Sequence, residues 1–239
     1  DNNIIQEILR GYTESLFAQQ LGNDNEILQT LTGGGHNHGA VYQEGNLNEA
    51  QQTAGGKNID MDISQVGDAN FAQQDIQGGA FHSGGNYNGN RAEVKQYGAE
   101  NEAAQTIAGK GNETYIMQGS ENMGLTANYN VADITQTGDR NKAGIAQVGE
   151  NNTAAIAQEG TGNKAAIGQM GAYNVADIMQ TGDNNRAGIG QVGLRNTAEL
   201  NQSGADNAFL VVQLGNDNQL KGVKEGSTGL YLVDKAAQQ

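Results

Sequence analysis

Proline, cysteine and tryptophan are all absent from the 239 residues of the chain. Without proline, every position can donate a backbone hydrogen bond, which suits unbroken β-ladders. Disordered chains of similar polarity are usually rich in proline, so the low apolar content does not by itself mean disorder. Without cysteine there are no disulfides and no thiolate metal sites. Cations are scarce: 13 Lys and Arg stand against 27 Asp and Glu, a formal charge of −14. No basic stripe is present to displace counterions, so nucleic acid is not an expected partner. No apolar run approaches the roughly 18 residues of a membrane helix, and membrane insertion is not expected. No signal peptide is evident, and the opening Asp1 without Met fits a chain processed from a precursor.

Glycine is abundant instead, with 36 residues, and so is repetition. From residue 130 the same residues return every eleven positions. Asparagine stands at Asn130, Asn141, Asn152, Asn163, Asn174, Asn185, Asn196 and Asn207. Glutamine follows at Gln136, Gln147, Gln158, Gln169, Gln180, Gln191, Gln202 and Gln213. Glycine comes next at Gly138, Gly149, Gly160, Gly171, Gly182, Gly193, Gly204 and Gly215. Between Asn and Gln lie an Ala and an apolar residue, which is Ile145, Ile156, Ile167, Ile178 and Ile189 in the most regular units. Asn141, Ala143, Ile145 and Gln147 are two residues apart, the spacing of one face of a strand. Each unit therefore reads as a strand whose invariant face is buried, followed by a tight bend at the Gly.

The varied face repeats on a longer period. Lys142, Lys164 and Arg186 are separated by twenty-two residues, with Thr153 and Val175 at the same offset in alternate units. The stretch 130–149 recurs at 174–193 with sixteen of twenty positions identical. An interior of period eleven and an exterior of period twenty-two predict an all-β solenoid. It would have two strands per 22-residue coil and two facing parallel sheets in cross-β, amyloid-like stacking. Coils would then rise by about 4.8 Å. Asn and Gln would form amide ladders, and Ala and Ile a dry zipper.

Upstream the frame loosens. Units at 48–56, 59–67, 70–78, 90–98 and 101–109 keep it, with Gln52, Gln74 and Gln105 in place of the apolar third residue. It slips at 79–89 and at 119–129, and two weak units lie within 15–34. Residues 1–14 show a helix-like spacing of Ile4, Ile5, Ile8 and Leu9 and fit no unit. After Asn218 the pattern decays, with Gly222 and Lys224 at core offsets. The expected divisions are 1–14, an irregular array 15–129, a regular array 130–217 and a degenerate unit 218–239.

Signals for chemistry are weak. His36 and His38 in a Gly-rich stretch lack a placed third metal ligand. Asp60 and Asp62 should point outward from a strand rather than build a calcium loop. The stretch 109–113 lacks Walker spacing and reads as a bend. His82 lies in a slipped unit, and no nucleophile–base constellation is evident. The expectation is a structural protein with no cofactor, not an enzyme.

Units of the form N-x-A-x-I-x-Q-x-G-x-x resemble curlin repeats, the units of bacterial curli fibres. The likeness spans about 15–217 and is strongest over 130–217. The resemblance implies a secreted, extracellular subunit of a biofilm and adhesion fibre that assembles head to tail as a homopolymer. It also implies a nucleator subunit and an outer-membrane export pore as partners, with 1–14 in the place of the export-addressing segment. The length and regularity look more like the major subunit than the nucleator. The alternatives are a nucleator, or a non-polymerising solenoid such as an ice-binding protein or adhesin shaft. Stacked Lys142, Lys164 and Arg186, and Asp133, Asp177 and Glu199 in the opposite sheet, would either delay assembly or only solvate the surface. The Lys/Arg face, small and flat with the apolar margin Val148, Met170 and Val192, is expected to bundle fibres laterally.

Overall fold

The computed structural model describes all residues except 11–12, 80–88, 121–123, 226–227 and 235–239. The chain winds as a β-solenoid of about nine turns at a spacing of about 22 residues. Sheet I stacks β1 (Asn3–Arg10), β3 (Glu26–Gly33), β5 (Glu49–Gly56), β7 (Phe71–Gly78), β9 (Glu102–Lys110), β12 (Val131–Asp139), β14 (Thr153–Thr161), β16 (Val175–Thr181), β18 (Thr197–Ser203) and β20 (Gln219–Glu225). Sheet II stacks β2 (Ser15–Asn23), β4 (His38–Asn46), β6 (Ile59–Val66), β8 (Asn90–Ala99), β10 (Glu113–Gln118), β13 (Lys142–Glu150), β15 (Lys164–Ala172), β17 (Arg186–Leu194), β19 (Ala208–Leu214) and β21 (Thr228–Asp234). A short strand, β11 (Ala127–Asn128), completes the row of β10 between β8 and β13. All of these pairings are parallel, and chain-adjacent strands belong to opposite sheets.

The inward residues alternate with the outward ones, as the period-two pattern requires. Ala143, Ile145 and Gln147 are buried, whereas Lys142 is exposed. In register, Ile145 stacks on Ile116 and Ile167. Burying an Ile side chain contributes about 1.5–3 kcal/mol, and the column repeats that gain at each coil. Small Ala beside larger Ile keeps the space between the sheets filled.

The bends explain the Gly. Gly149 has φ +105°, and a Cβ there would lie 2.0 Å from the carbonyl oxygen of Gly171 in the next coil. Two residues later, just before the Asn, the chain adopts the left-handed region with no preference for Gly: Arg140, Asn151, Tyr173 and Arg195 have φ between +55° and +58°. Such residues cost roughly 1 kcal/mol each and need local compensation.

Two regions depart from the expected reading. Residues 3–10, read as helix-like and outside the repeat, form β1, paired in parallel with β3. Ile4, Gln6 and Ile8 stack on Ile27, Gln29 and Leu31, so the segment is a first rung offset by 23 residues. The two slips in the frame are insertions, after β7 and after β10. Gln65 bonds Gln96, 31 residues on, and Gln118 bonds Gln147, 29 residues on, so the stacking passes each insertion unbroken. Most of the first loop, including His82, lies outside the described residues. In the second, Ser120 and Leu125 form an antiparallel bridge.

Candidate functional site: the stacked amides

The chemistry of the interior lies in its amides. In sheet II nine glutamines form one ladder: Gln20, Gln43, Gln65, Gln96, Gln118, Gln147, Gln169, Gln191 and Gln213. Each Nε2 donates to the next Oε1 at 2.7–3.0 Å. The same amide also ties the sheets together, since Gln147 Nε2 donates to Val131 O at 2.9 Å and Gln169 Nε2 to Thr153 O at 2.9 Å. A buried amide left without partners costs about 1–3 kcal/mol, and here all but the terminal Gln20 oxygen are satisfied by the coil beside them.

The asparagines hold the bends. Asn152 takes its backbone N and Nδ2 to Asn130 Oδ1 (2.9 and 3.0 Å) and also donates from Nδ2 to Gly171 O at 3.0 Å. Asn174 and Asn196 repeat this on Asn152 and Asn174. At the other bend Asn163 and Asn185 donate their backbone N to Asn141 and Asn163 Oδ1, and Asn207 continues onto Asn185. These bonds secure the strained left-handed residue that precedes each Asn. The Asn and Gln ladders run in opposite senses: Gln donates toward the C-terminus, Asn toward the N-terminus. Acceptors are therefore left over at both extremes, and the buried Gln20 Oε1 and Asn218 Oδ1 have no hydrogen-bond partner among the described residues.

Sheet I holds two glutamine ladders, not one. The first runs Gln6, Gln29, Gln52, Gln74 and Gln105 at 2.7–2.9 Å. The second runs Gln136, Gln158, Gln180 and Gln202 at 2.7–2.8 Å. The first occupies the third inward position, with Leu31, Ala54, Ile76 and Ile107 at the fourth; the second reverses that order. At the junction Gln105 lies on Ile134 and Ile107 on Gln136. Gln136 Oε1, facing Ile107, is a buried acceptor with no partner among the described residues. The sequence marks Gln52, Gln74 and Gln105 as replacements for an apolar residue. Their stacking into a ladder of their own could have been found from Ile27-x-Gln29-x-Leu31, which has the same order.

The other flagged residues lie apart from these ladders. His36 and His38 bond Thr13 Oγ1 (2.9 Å) and Ser15 Oγ (2.6 Å) of the coil before. Asp60 and Asp62 point outward from β6. Burial, and then Glu93 beside it, holds the Asp62 carboxyl above the usual carboxylate range. Residues 109–113 form a bend in which Gly109 and Gly111 have positive φ. Among the described residues no three of His, Cys, Asp or Glu come together as a metal site.

The sequence model of the curlin associated repeat matches residues 128–160, 149–174 and 160–193. No curated protein matches the chain. The three overlapping matches run together over β12 to β17, where Asn, Ala, Ile and Gln stack in register in both sheets, and over that stretch the chain is similar to curlin repeats.

Proposed function

We propose that this chain is a structural subunit of an extracellular, curli-type amyloid fibre that serves biofilm matrix and surface adhesion. Its partner is first of all itself, added head to tail. The observation that carries the reading is the unbroken nine-residue Gln ladder of sheet II, whose rungs are chemically interchangeable. A coil added before β2 meets a Gln rung of the same kind as those within the chain. The unpartnered Gln20 Oε1 accepts the kind of Nε2 donor that every rung of that ladder presents. Contacts of this head-to-tail kind do not close, and so they produce filaments. By family resemblance the chain is secreted, leaves through an outer-membrane pore and starts on a nucleator; its length fits the major subunit.

One observation favours the competing reading of a solitary solenoid, such as an ice-binding protein or adhesin shaft. In β20 the register sets Gly222 on Leu200 and Lys224 on Gln202, so that coil does not extend the sheet I ladder. Electron microscopy of the purified chain, diluted unseeded from denaturant, decides between them. The fibre reading expects long unbranched filaments with diffraction at about 4.7–4.8 and 10 Å. Discrete, monodisperse particles would overturn it.

A further inference from the structure

The outer faces of the two sheets carry opposite charge. Over β13, β15 and β17 the first four outward columns of sheet II hold Lys142, Lys164 and Arg186 and no carboxylate, Glu150 lying beyond them at the end of β13. Over β12, β14, β16 and β18 those of sheet I hold Asp133, Glu159, Asp177 and Glu199 and no cation. Lys142 is paired with Glu113 at 2.7 Å and Glu199 with Lys221 at 3.5 Å. Lys164 and Arg186 have no ion-pair partner among the described residues.

A second observation concerns glycine. Gly168 and Gly190 lie in the middle of the outer face of sheet II, outside the left-handed region, and a Cβ on either would meet nothing within 4 Å. Neither backbone conformation nor packing within the chain requires Gly there. In a strand Gly is less stable than Ala. It often marks a place where another surface approaches closely. With Ala146 in the same column, the two glycines make a recessed floor beside the ridge of Val148, Met170 (53% exposed) and Val192 (46%).

We propose that sheet II of one solenoid packs on sheet I of a second copy of this chain, side by side with parallel axes, the recess at Gly168 and Gly190 receiving the acidic column. Strand direction makes the match. Across the interior, Gln147 Nε2 reaches Val131 O and Gln158 Nε2 reaches Lys142 O, so the start of a strand in one sheet lies level with the end of a strand in the other. A copy displaced sideways without rotation presents its sheet I to sheet II in that same sense. The ridge of Val148, Met170 and Val192 then meets Val131 (37% exposed), Thr153 and Val175 (43%). The cation column meets the edge that bears Glu159, while Asp133 and Asp177 project over the floor of Ala146, Gly168 and Gly190. The carboxyls of Asp133 and Asp177 are held above the usual range by burial and then by Glu102 and Glu199, and an approaching cationic face relieves that crowding. The patch is about 23 Å wide and 15 Å tall, too small to join two isolated chains. Repeated on every subunit, it joins filaments through multivalency.

This inference rests on the fibre reading, and the test separates the two. Wild-type filaments are compared by negative-stain microscopy with Gly168→Val/Gly190→Val filaments. A β-branched residue fits an open strand position, so the solenoid and its filaments persist while lateral pairs are lost. A second variant, Asp177→Lys/Glu199→Lys, loses pairing with itself and regains it when mixed with Lys164→Glu/Arg186→Glu filaments. Pairs that persist in either variant, or single filaments from the wild type, overturn the lateral contact and leave the fibre reading intact. No filaments from the wild type overturns both.

Discussion

The two halves of sheet I solve the same problem in opposite order. From β1 to β9 the inward residues run apolar, Gln, apolar, whereas from β12 to β18 they run Ala, then Ile or Leu, then Gln. Sheet II keeps one order from β2 to β19, and its ladder is continuous across the level where sheet I changes. What a coil requires is therefore not a particular residue at a particular inward offset, but the same residue in the coil above and below. The penalty for changing order falls at a single step, where Gln136 Oε1 is left facing Ile107. The bend, by contrast, is common to both halves and allows no such freedom.

The largest effect should come from breaking what the halves share. Gly171→Ala would set a Cβ 2.0 Å from the backbone oxygen of Gly193 at φ +120°, and Gly56→Ala would set one 1.7 Å from that of Gly78. Neither contact is with a flexible side chain that could yield. Each substitution should cost on the order of 3 kcal/mol or more. The denaturant midpoint, followed by circular dichroism, should fall in both variants, and an unchanged midpoint in either half would mean that its bends are not held as described.

A smaller effect tests the interchangeability of the halves. The double change Ile134→Gln with Gln136→Ile gives β12 the order of β9 and moves the mismatch one coil on, to β14. The first ladder gains a rung, the second loses one, and stability should change by less than about 1 kcal/mol. Ile134→Gln alone buries an extra amide, and Gln136→Ile alone leaves Gln158 Oε1 without its donor; each should cost about 1–3 kcal/mol. Non-additivity of this size is measured by a double-mutant cycle. If the double variant loses the sum of the singles, order matters for reasons other than stacking.

Much of this architecture is legible in the sequence, because a period of two inside a period of eleven fixes which residues share a face. The exterior period of twenty-two then fixes two strands per coil. The order of β5, β7 and β9 is harder to read: Gln52, Gln74 and Gln105 look like substitutions until the three are stacked on one another. β1 is hidden by its 23-residue offset and by Ile5 and Leu9, outward residues that imitate helical spacing beside Ile4 and Ile8. The left-handed residue before each Asn leaves only a partial compositional trace: Asp24, Asn184, Asp206, Asp217, Gly111 and Gly162 are types that accept that region, whereas Leu47, Arg140, Tyr173 and Arg195 are not. Arg140, Asn151, Tyr173 and Arg195 share only a backbone angle, held by the amide that follows them.

The smallest expected effect contrasts the outer faces of the halves through their acids. Burial, and then Glu199, raises the carboxyl of half-buried Asp177 above its ordinary range; Asp133, more open to solvent, is raised by burial and then by Glu102. An acid whose pKa is higher folded than unfolded makes the fold take up protons. Its contribution is fully present below the unfolded value, about 3.9 for Asp, and is lost as pH rises through the folded value. These carboxyls should therefore favour the fold more at about pH 3.5 than at pH 7. Partial exposure keeps the gain well below that of a fully buried carboxyl. In the first half the corresponding group is Asp62, on sheet II, where Lys95 opposes the raising effect of burial and Glu93. Asp177→Asn should accordingly flatten the pH dependence more than Asp62→Asn does. Equal flattening by the two, measured as the shift in urea midpoint between about pH 3.5 and pH 7, would mean that Lys95 does not distinguish them.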